Sequence, residues 1–210
     1  MPSKKKRCQN WKLYVITDRA RAKGSLAEVV REAILGGASV VQLRDKSATD
    51  EALIRQARKL LPLTRSAGIP LIINDRIEVA KKSGADGVHL GQEDASLKEA
   101  RATLGKKAII GRSTHSPEEA LQAQADGFDY IGVGPVFATP TKPGYRTVGL
   151  GLVRFAAENI RTPFVAIGGI DEKNVSRVKK AGAKTVAVVR AVMASPHPKK
   201  LAQAIRKIME

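Results

Sequence analysis

Gly84-Ala85-Asp86-Gly87-Val88-His89-Leu90-Gly91 decides how the rest of the chain reads. It turns at a glycine out of a helical segment and runs at once into a short apolar strand. Its opening recurs as Gly37-Ala38-Ser39-Val40-Val41 and as Gly182-Ala183-Lys184-Thr185-Val186, with Asp126-Gly127-Phe128-Asp129-Tyr130-Ile131 a looser copy. Each copy reads as a helix ending at Gly and turning into a strand. The copies lie close to two βα units apart and precede the second, fourth, sixth and eighth of eight apolar runs. Those runs are Leu13–Thr17, Val40–Arg44, Leu71–Asp75, Gly87–Gly91, Ala108–Ser113, Tyr130–Gly134, Phe164–Gly169 and Thr185–Arg190. Most are continuous rather than alternating, as parallel strands covered on both faces require.

Amphipathic segments separate the runs: Ser25–Leu35, Asp50–Ser66, Ser96–Leu104, Pro117–Ala125 and Glu172–Ala181. Ser116-Pro117-Glu118-Glu119 supplies a cap, a proline at the first helical position and acids in the first turn. Eight such units closing on themselves give an α/β fold of the (β/α)₈ TIM-barrel type, a single domain over residues 13–210 behind a basic extension at 1–12. The rival is a doubly wound open sheet. It usually carries a glycine-rich first turn, and Thr17-Asp18-Arg19-Ala20 is not one.

The 210 residues fit one such domain, and apolar residues throughout exclude disorder. A single Cys8 excludes a disulfide scaffold and leads to an expected cytoplasmic location. No apolar run approaches the ~20 residues of a membrane helix, and the basic start leads into a strand rather than a signal peptide. The net charge of +17 asks for a polyanionic partner. Nucleic acid fits poorly, because aromatics are only 4% of the chain and the basic residues are dispersed.

In a barrel, chemistry belongs at the C-terminal strand ends. There the sequence places Thr17-Asp18-Arg19, Gln42-Leu43-Arg44-Asp45-Lys46, Asn74-Asp75-Arg76, Gln92-Glu93-Asp94 and Arg112-Ser113-Thr114-His115. The N-terminal ends read as Ala, Gly, Pro and Lys. Period-two geometry sets Gln42 and Arg44 on one face, with Lys46 just beyond. A guanidinium and an ammonium so close suit a diphosphate; the plainer alternative is neutralisation by Asp45. Asp75 and Asp94 end neighbouring strands, and oxygen-only ligation beside basic residues points to Mg²⁺, with structural capping the alternative. Gly168-Gly169 and Arg190 fall where barrels commonly bind phosphate. Thr139-Pro140-Thr141-Lys142 lies in the longest loop, about 135 to 147. His89, between apolar neighbours, reads as an interior histidine, and Trp11 as packing against the barrel.

Five ordered motifs resemble the thiamine phosphate synthase family: Gln42-Leu43-Arg44-Asp45-Lys46, Asn74-Asp75-Arg76, Gly87-Val88-His89-Leu90-Gly91-Gln92 with Asp94, Gly132-Val133-Gly134-Pro135-Val136 through Lys142, and Ala166-Ile167-Gly168-Gly169-Ile170. The resemblance runs from about Leu13 to Ala191. It implies condensation of 4-amino-2-methyl-5-hydroxymethylpyrimidine diphosphate with a thiazole phosphate, giving thiamine phosphate and diphosphate. By the same resemblance Gln42, Arg44, Lys46, Asn74, Ser113 and Lys142 bind the pyrimidine diphosphate. Asp75 and Asp94 hold Mg²⁺, and Thr139, Thr141 and Gly169, with backbone near Val189 and Arg190, bind the thiazole phosphate. Many family members have Ser where this chain has Arg190, so a hydroxyl contact there is lost and a backbone one survives. The expected partners are small phosphorylated substrates, with a homo-oligomer compatible and no membrane. Two alternatives stand beside this: a thiazole tautomerase of the same superfamily, and a basic nucleic-acid-binding protein.

Overall fold

The computed structural model of the chain describes residues 8–139 and 146–210. Eight parallel strands close into a barrel in chain order: β1 (Leu13–Ile16), β2 (Val40–Leu43), β3 (Leu71–Asn74), β4 (Gly87–Leu90), β5 (Ile109–Thr114), β6 (Tyr130–Val133), β7 (Phe164–Ile167) and β8 (Val186–Val188). β8 returns to β1 with Leu13 beside Val186. Around them lie α1 (Leu26–Leu35), α2 (Asp50–Ser66), α3 (Ile77–Ser83), α4 (Leu97–Leu104), α5 (Pro117–Asp126), α6 (Gly149–Asn159), α7 (Val175–Lys180), α8 (Arg190–Met193) and α9 (Pro198–Met209). The expected (β/α)₈ architecture is present.

Burial follows from the strand pattern. One apolar layer fills the space between strands and helices, and a second fills the barrel interior with Tyr14, Ile16, Val40, Ile72, Ile109, Tyr130, Val165 and Ala187. Cys8 and Trp11 join the inner layer, so the end of the stretch read as an extension is packed protein. Trp11 presses edge-on against Tyr14 and Tyr130, with centroids 5.7 and 5.1 Å away. Such edge-to-face contacts add to the area these rings bury.

The internal repeat has a physical cause at the N-terminal barrel end, and it corrects the reading of that end as Ala, Gly, Pro and Lys. Ser39, entering β2, accepts hydrogen bonds from the N–H groups of Lys12 and Leu13. Asp86, entering β4, accepts from Leu71 N–H at 2.9 Å, and Asp129, entering β6, from Ile110 N–H at 2.8 Å. Thr185, before β8, donates to the carbonyl of Trp11. Backbone groups just before or at the start of β1, β3 and β5 are thus satisfied by the repeat's own polar residue, as burial demands. These contacts concern stability, not chemistry.

Two strand and helix ends differ from the sequence reading. β8 stops at Val188 because Val189 leaves the extended conformation (φ −116°, ψ −81°) and Arg190 opens α8. α7 starts at Val175 rather than Glu172 because the Asp171 carboxylate accepts the N–H groups of Lys173 and Asn174, forming a turn first. The cap at Ser116 is present: its hydroxyl accepts the N–H of Glu119.

Candidate active site

Above the inner layer, at the C-terminal strand ends, opens a cavity of about 600 Å³. Gln42, Arg44, Asn74, Ser113, Thr139, Gly169, Val189 and Arg190 all line it. Eight of the expected site residues, contributed by six different strands or the segments after them, therefore meet at one mouth. Thr141 and Lys142 lie outside the described residues.

The β2 side is rigidly built. Thr17 accepts the N–H of Arg44 at 2.9 Å and donates its hydroxyl to the Arg44 carbonyl, clamping the residue that ends the strand. Arg76 donates to the carbonyls of Lys46 and Ala48 and to the Asp50 carboxylate, holding the loop that carries Lys46. The Asp45 carboxylate accepts from the N–H groups of Ser47 and Ala48 and from the Ser47 hydroxyl. It caps its own turn, which argues against its being the neutralising partner of Arg44 and Lys46.

Asp75 follows β3 and Asp94 lies in the turn after β4, and their carboxyls come within hydrogen-bonding range of each other. Asp75 adopts a left-handed backbone, φ 61°, uncommon for a residue other than glycine. Its N–H donates to the His89 carbonyl at 2.8 Å, which ties the turn to β4. Asp94 in turn accepts the Gly91 N–H at 2.6 Å. Burial first, and then the neighbouring Asp94 charge, push the Asp75 carboxyl up to about 6; Lys46 and the Asn74 side chain pull it the other way. Two carboxylates forced together beside Lys46 form an oxygen-only donor pair that a small divalent cation would relieve, so the residues fit Mg²⁺. Among the described residues no group of three or more His, Cys, Asp or Glu comes together that could hold a metal ion.

Opposite, β7 ends in Gly168 and Gly169, both at positive φ (106° and 63°). A Cβ on Gly169 would meet the Ala138 carbonyl at 2.7 Å, and one on Gly168 would meet Pro135 at 2.5 Å. The glycines let this turn lie directly against the loop after β6, with Phe137 N–H donating to the Gly168 carbonyl. Asn174 secures it by donating to the Gly169 carbonyl at 2.7 Å. Arg190 stands exposed at the start of α8 beside this turn, on the same cavity wall. The mouth thus has a basic side carrying Gln42, Arg44 and Asn74 and a glycine-rich side carrying Arg190, while Lys46, Asp75 and Asp94 are not on the cavity lining and adjoin it through Asn74.

Sequence reasoning missed the floor. Tyr14 and Tyr130, read only as strand residues, line the cavity from below, and His89 joins them. Gln42 donates to the Tyr14 phenol at 2.7 Å, the two phenols are 2.9 Å apart, Tyr130 is 2.9 Å from His89 Nδ1, and His89 Nε2 is 3.0 Å from the Ser113 hydroxyl. His89 is an interior histidine with satisfied nitrogens, as expected. The overlooked signal was glycine inside two strands: a Cβ on Gly111 would strike the Tyr130 ring at 2.2 Å, and one on Gly132 would press His89 at 3.3 Å.

Comparison with known proteins agrees with this geometry. The family model described as thiamine monophosphate synthase matches residues 13–192. A thiamine-phosphate synthase of Gloeobacter violaceus is 50% identical over 187 residues, 89% of this chain; the chain spans about half of that relative, 54% of its length. One from Chloroflexus aurantiacus is 46% identical over 202 residues, covering 95% of this chain and 93% of its own. The solved thiamine phosphate pyrophosphorylase of Pyrococcus furiosus superposes with a TM-score of 0.88 at 40% identity, covering 97% of this chain and 96% of that one. With a family model matching residues 13–192 and a relative 46% identical over nearly the whole length of both chains, the chain belongs to the thiamine monophosphate synthase family.

Proposed function

We propose that this chain is a transferase that condenses 4-amino-2-methyl-5-hydroxymethylpyrimidine diphosphate with a thiazole phosphate to form thiamine phosphate and diphosphate. One observation carries the reading: Gln42, Arg44, Asn74 and Ser113 line the same cavity of about 600 Å³ as the two-glycine turn and Arg190, and Asn74, on that lining, reaches the Asp75–Asp94 pair beside Lys46. That is room for two small phosphorylated molecules held end to end. The tautomerase alternative needs no diphosphate site, so Arg44 and Lys46 beside Asp75 and Asp94 argue against it.

Gln42, Arg44, Lys46, Asn74 and Ser113 would hold the pyrimidine diphosphate, joined by Lys142. Thr139, Gly169 and the backbone at Val189 and Arg190 would hold the thiazole phosphate, joined by Thr141. Asp75 and Asp94 would hold Mg²⁺, which supplies Lewis-acid neutralisation of the departing diphosphate. The C–O bond between the pyrimidine methylene and the diphosphate breaks, and its electron pair leaves with diphosphate. The thiazole nitrogen gives its lone pair to the methylene carbon, forming the C–N bond. No proton is transferred. The fork of Arg44 and the ammonium of Lys46 stabilise the charge gathering on the leaving oxygens. The opposite phosphate site fixes the thiazole for attack. No protein nucleophile is needed. Among the described residues no helix is long and apolar enough to cross a membrane.

The test is product formation by purified protein with both substrates, with and without Mg²⁺, read by chromatography of oxidised, fluorescent thiamine phosphate. Mg²⁺-dependent product is expected. No product with both substrates and Mg²⁺ present overturns the reading, and full turnover in excess chelator overturns the metal assignment.

A further inference from the structure

We infer that Gln42, Tyr14, Tyr130 and His89 form a one-way hydrogen-bond relay across the barrel floor, holding the Ser113 hydroxyl as a donor to the bound diphosphate, with His89 as its positioning residue. The ligand end of this inference rests on the function proposed above; the relay itself rests on geometry alone.

Its direction follows from counting protons. The Gln42 amide nitrogen is 2.7 Å from the Tyr14 phenol oxygen and can only donate. Tyr14 therefore accepts there and sends its own proton to Tyr130, 2.9 Å away. Tyr130, having accepted, donates to His89 Nδ1 at 2.9 Å. A nitrogen that accepts carries no hydrogen, so the neutral imidazole bears its proton on Nε2 and donates to Ser113 at 3.0 Å. The Ser113 hydroxyl has then been used as an acceptor, and its proton remains for the cavity it lines. Burial pushes both phenols well above their usual ionisation range, so each keeps the single proton that this sequence needs.

Two further observations show that the relay is built rather than incidental. It joins β2, β1, β6, β4 and β5, linking residues as far apart as Tyr14 and Tyr130, which no local folding preference would bring together. Space for it depends on glycine. A Cβ on Gly111 would lie 2.2 Å from the Tyr130 ring and 2.6 Å from His89 Nδ1, and Trp11 supports both phenol rings from below. The arrangement also connects Gln42 with Ser113, two residues on opposite sides of the cavity. Displacement of one is felt by the proton orientation at the other. A free serine hydroxyl can divide its proton among several acceptors; one that already accepts from His89 Nε2 is held with its proton toward the cavity.

The experiment is ¹⁵N NMR of histidine-labelled protein, with the His89 signals assigned by their loss in His89→Asn. In the wild-type chain, His89 is expected as one neutral tautomer, Nε2 protonated and Nδ1 pyridine-like. A protonated Nδ1 in the wild-type spectrum overturns the relay, and this reading needs no variant. Tyr130→Phe keeps the ring but removes the donor to Nδ1. It should mix the tautomers and lower kcat about tenfold, the value of one oriented hydrogen bond, with KM for the pyrimidine diphosphate changed less. In a Ser113→Ala background the same substitution should lower kcat no further, whereas a merely structural role would give additive losses. Additivity, or an unchanged kcat in folded Tyr130→Phe, overturns the positioning role. If the wild-type protein forms no thiamine phosphate at all, the function fails while the tautomer still decides the relay.

Discussion

Asp75→Asn removes one charge from the crowded carboxylate pair while leaving the size and backbone preference of the residue in place. Asn is among the few side chains that tolerate the left-handed conformation found at φ 61°, so the substitution adds no backbone strain. In the folded protein the Asp75 carboxyl ionises near 6 rather than at its ordinary 3.8, raised by burial and by Asp94. A shift of about 2 units is worth about 3 kcal/mol if taken whole. The group is only half-buried and water screens it, so about 1–2 kcal/mol is the expected gain for the metal-free protein at neutral pH. The sign follows from linkage. Between 3.8 and 6 the folded state holds more protons than the unfolded state, so stability falls as pH rises through that window and stays reduced above it. The advantage of Asn should therefore be complete above pH 6, shrink on acidification, and vanish below the unfolded-state value. For a chain of this size it corresponds to a melting temperature about 3–6 °C higher. Calorimetry in chelator at pH 7.5 and pH 4 measures both ends, and added Mg²⁺ should stabilise the wild-type chain more than the variant. The variant should also lose most of its turnover. An Asn variant no more stable than wild type at pH 7.5, or equally favoured at both pH values, would refute the account of the pair as two charges held together at the expense of stability.

Three other outcomes test separate parts of the structure. Asp129→Ala strips the acceptor from Ile110 N–H and from Arg101 at the N-terminal barrel end; with Asp129 buried and Arg101 partly exposed it should cost about 2–3 kcal/mol, seen in denaturant unfolding, with KM unchanged. Arg44→Lys keeps the charge but loses the planar fork, and kcat/KM for the pyrimidine diphosphate should fall about 10–100-fold in steady-state assays while binding of the thiazole phosphate is kept. Gly111→Ala drives a methyl into the Tyr130 ring and His89; it should destabilise by about 1–3 kcal/mol and lower kcat, whereas an alanine at the exposed Gly151, with open space around it, should do neither.

The barrel was legible because parallel strands buried on both faces leave continuous apolar runs, and because a glycine turn, Gly-Ala in three of its four copies, repeats before every second strand. Gln42, Arg44, Asn74 and Ser113 were legible for a related reason: polar residues at the C-terminal end of an apolar strand have nowhere to point but the mouth. The pair Asp75 and Asp94 followed from the adjacency of β3 and β4. What stayed hidden depends on contacts across the barrel. Tyr14 and Tyr130 sit at strand positions where an aromatic ring reads as core, and their phenols meet only after closure. Ser39, Asp86 and Asp129 were passed over because each touches the strand before its own, a partner that only the closed register identifies. Strand β8 was read too long because Val189 is apolar and gives no sign that its backbone turns.

Those same three residues divide the barrel in a way its smooth circular section conceals. Each bond runs from the entrance of an even strand to the start of the odd strand before it, so β1 with β2, β3 with β4, and β5 with β6 are stapled as couples. The β2/β3, β4/β5 and β6/β7 seams lack that fastening, whereas Thr185 ties the entrance of β8 to the Trp11 carbonyl ahead of β1. A chain opened at Lys106-Lys107, ahead of β5, would keep every one of the three staples within a single fragment. A chain opened between β3 and β4 would sever the Asp86 staple and leave the Leu71 N–H to seek a partner from another polypeptide. The barrel is in this sense three stapled parallel couples, with β7 and β8 completing the ring and β8 tied to the first couple through Thr185. Complementing fragments, circular permutants and inserted domains should be accepted at the seams and rejected within the couples.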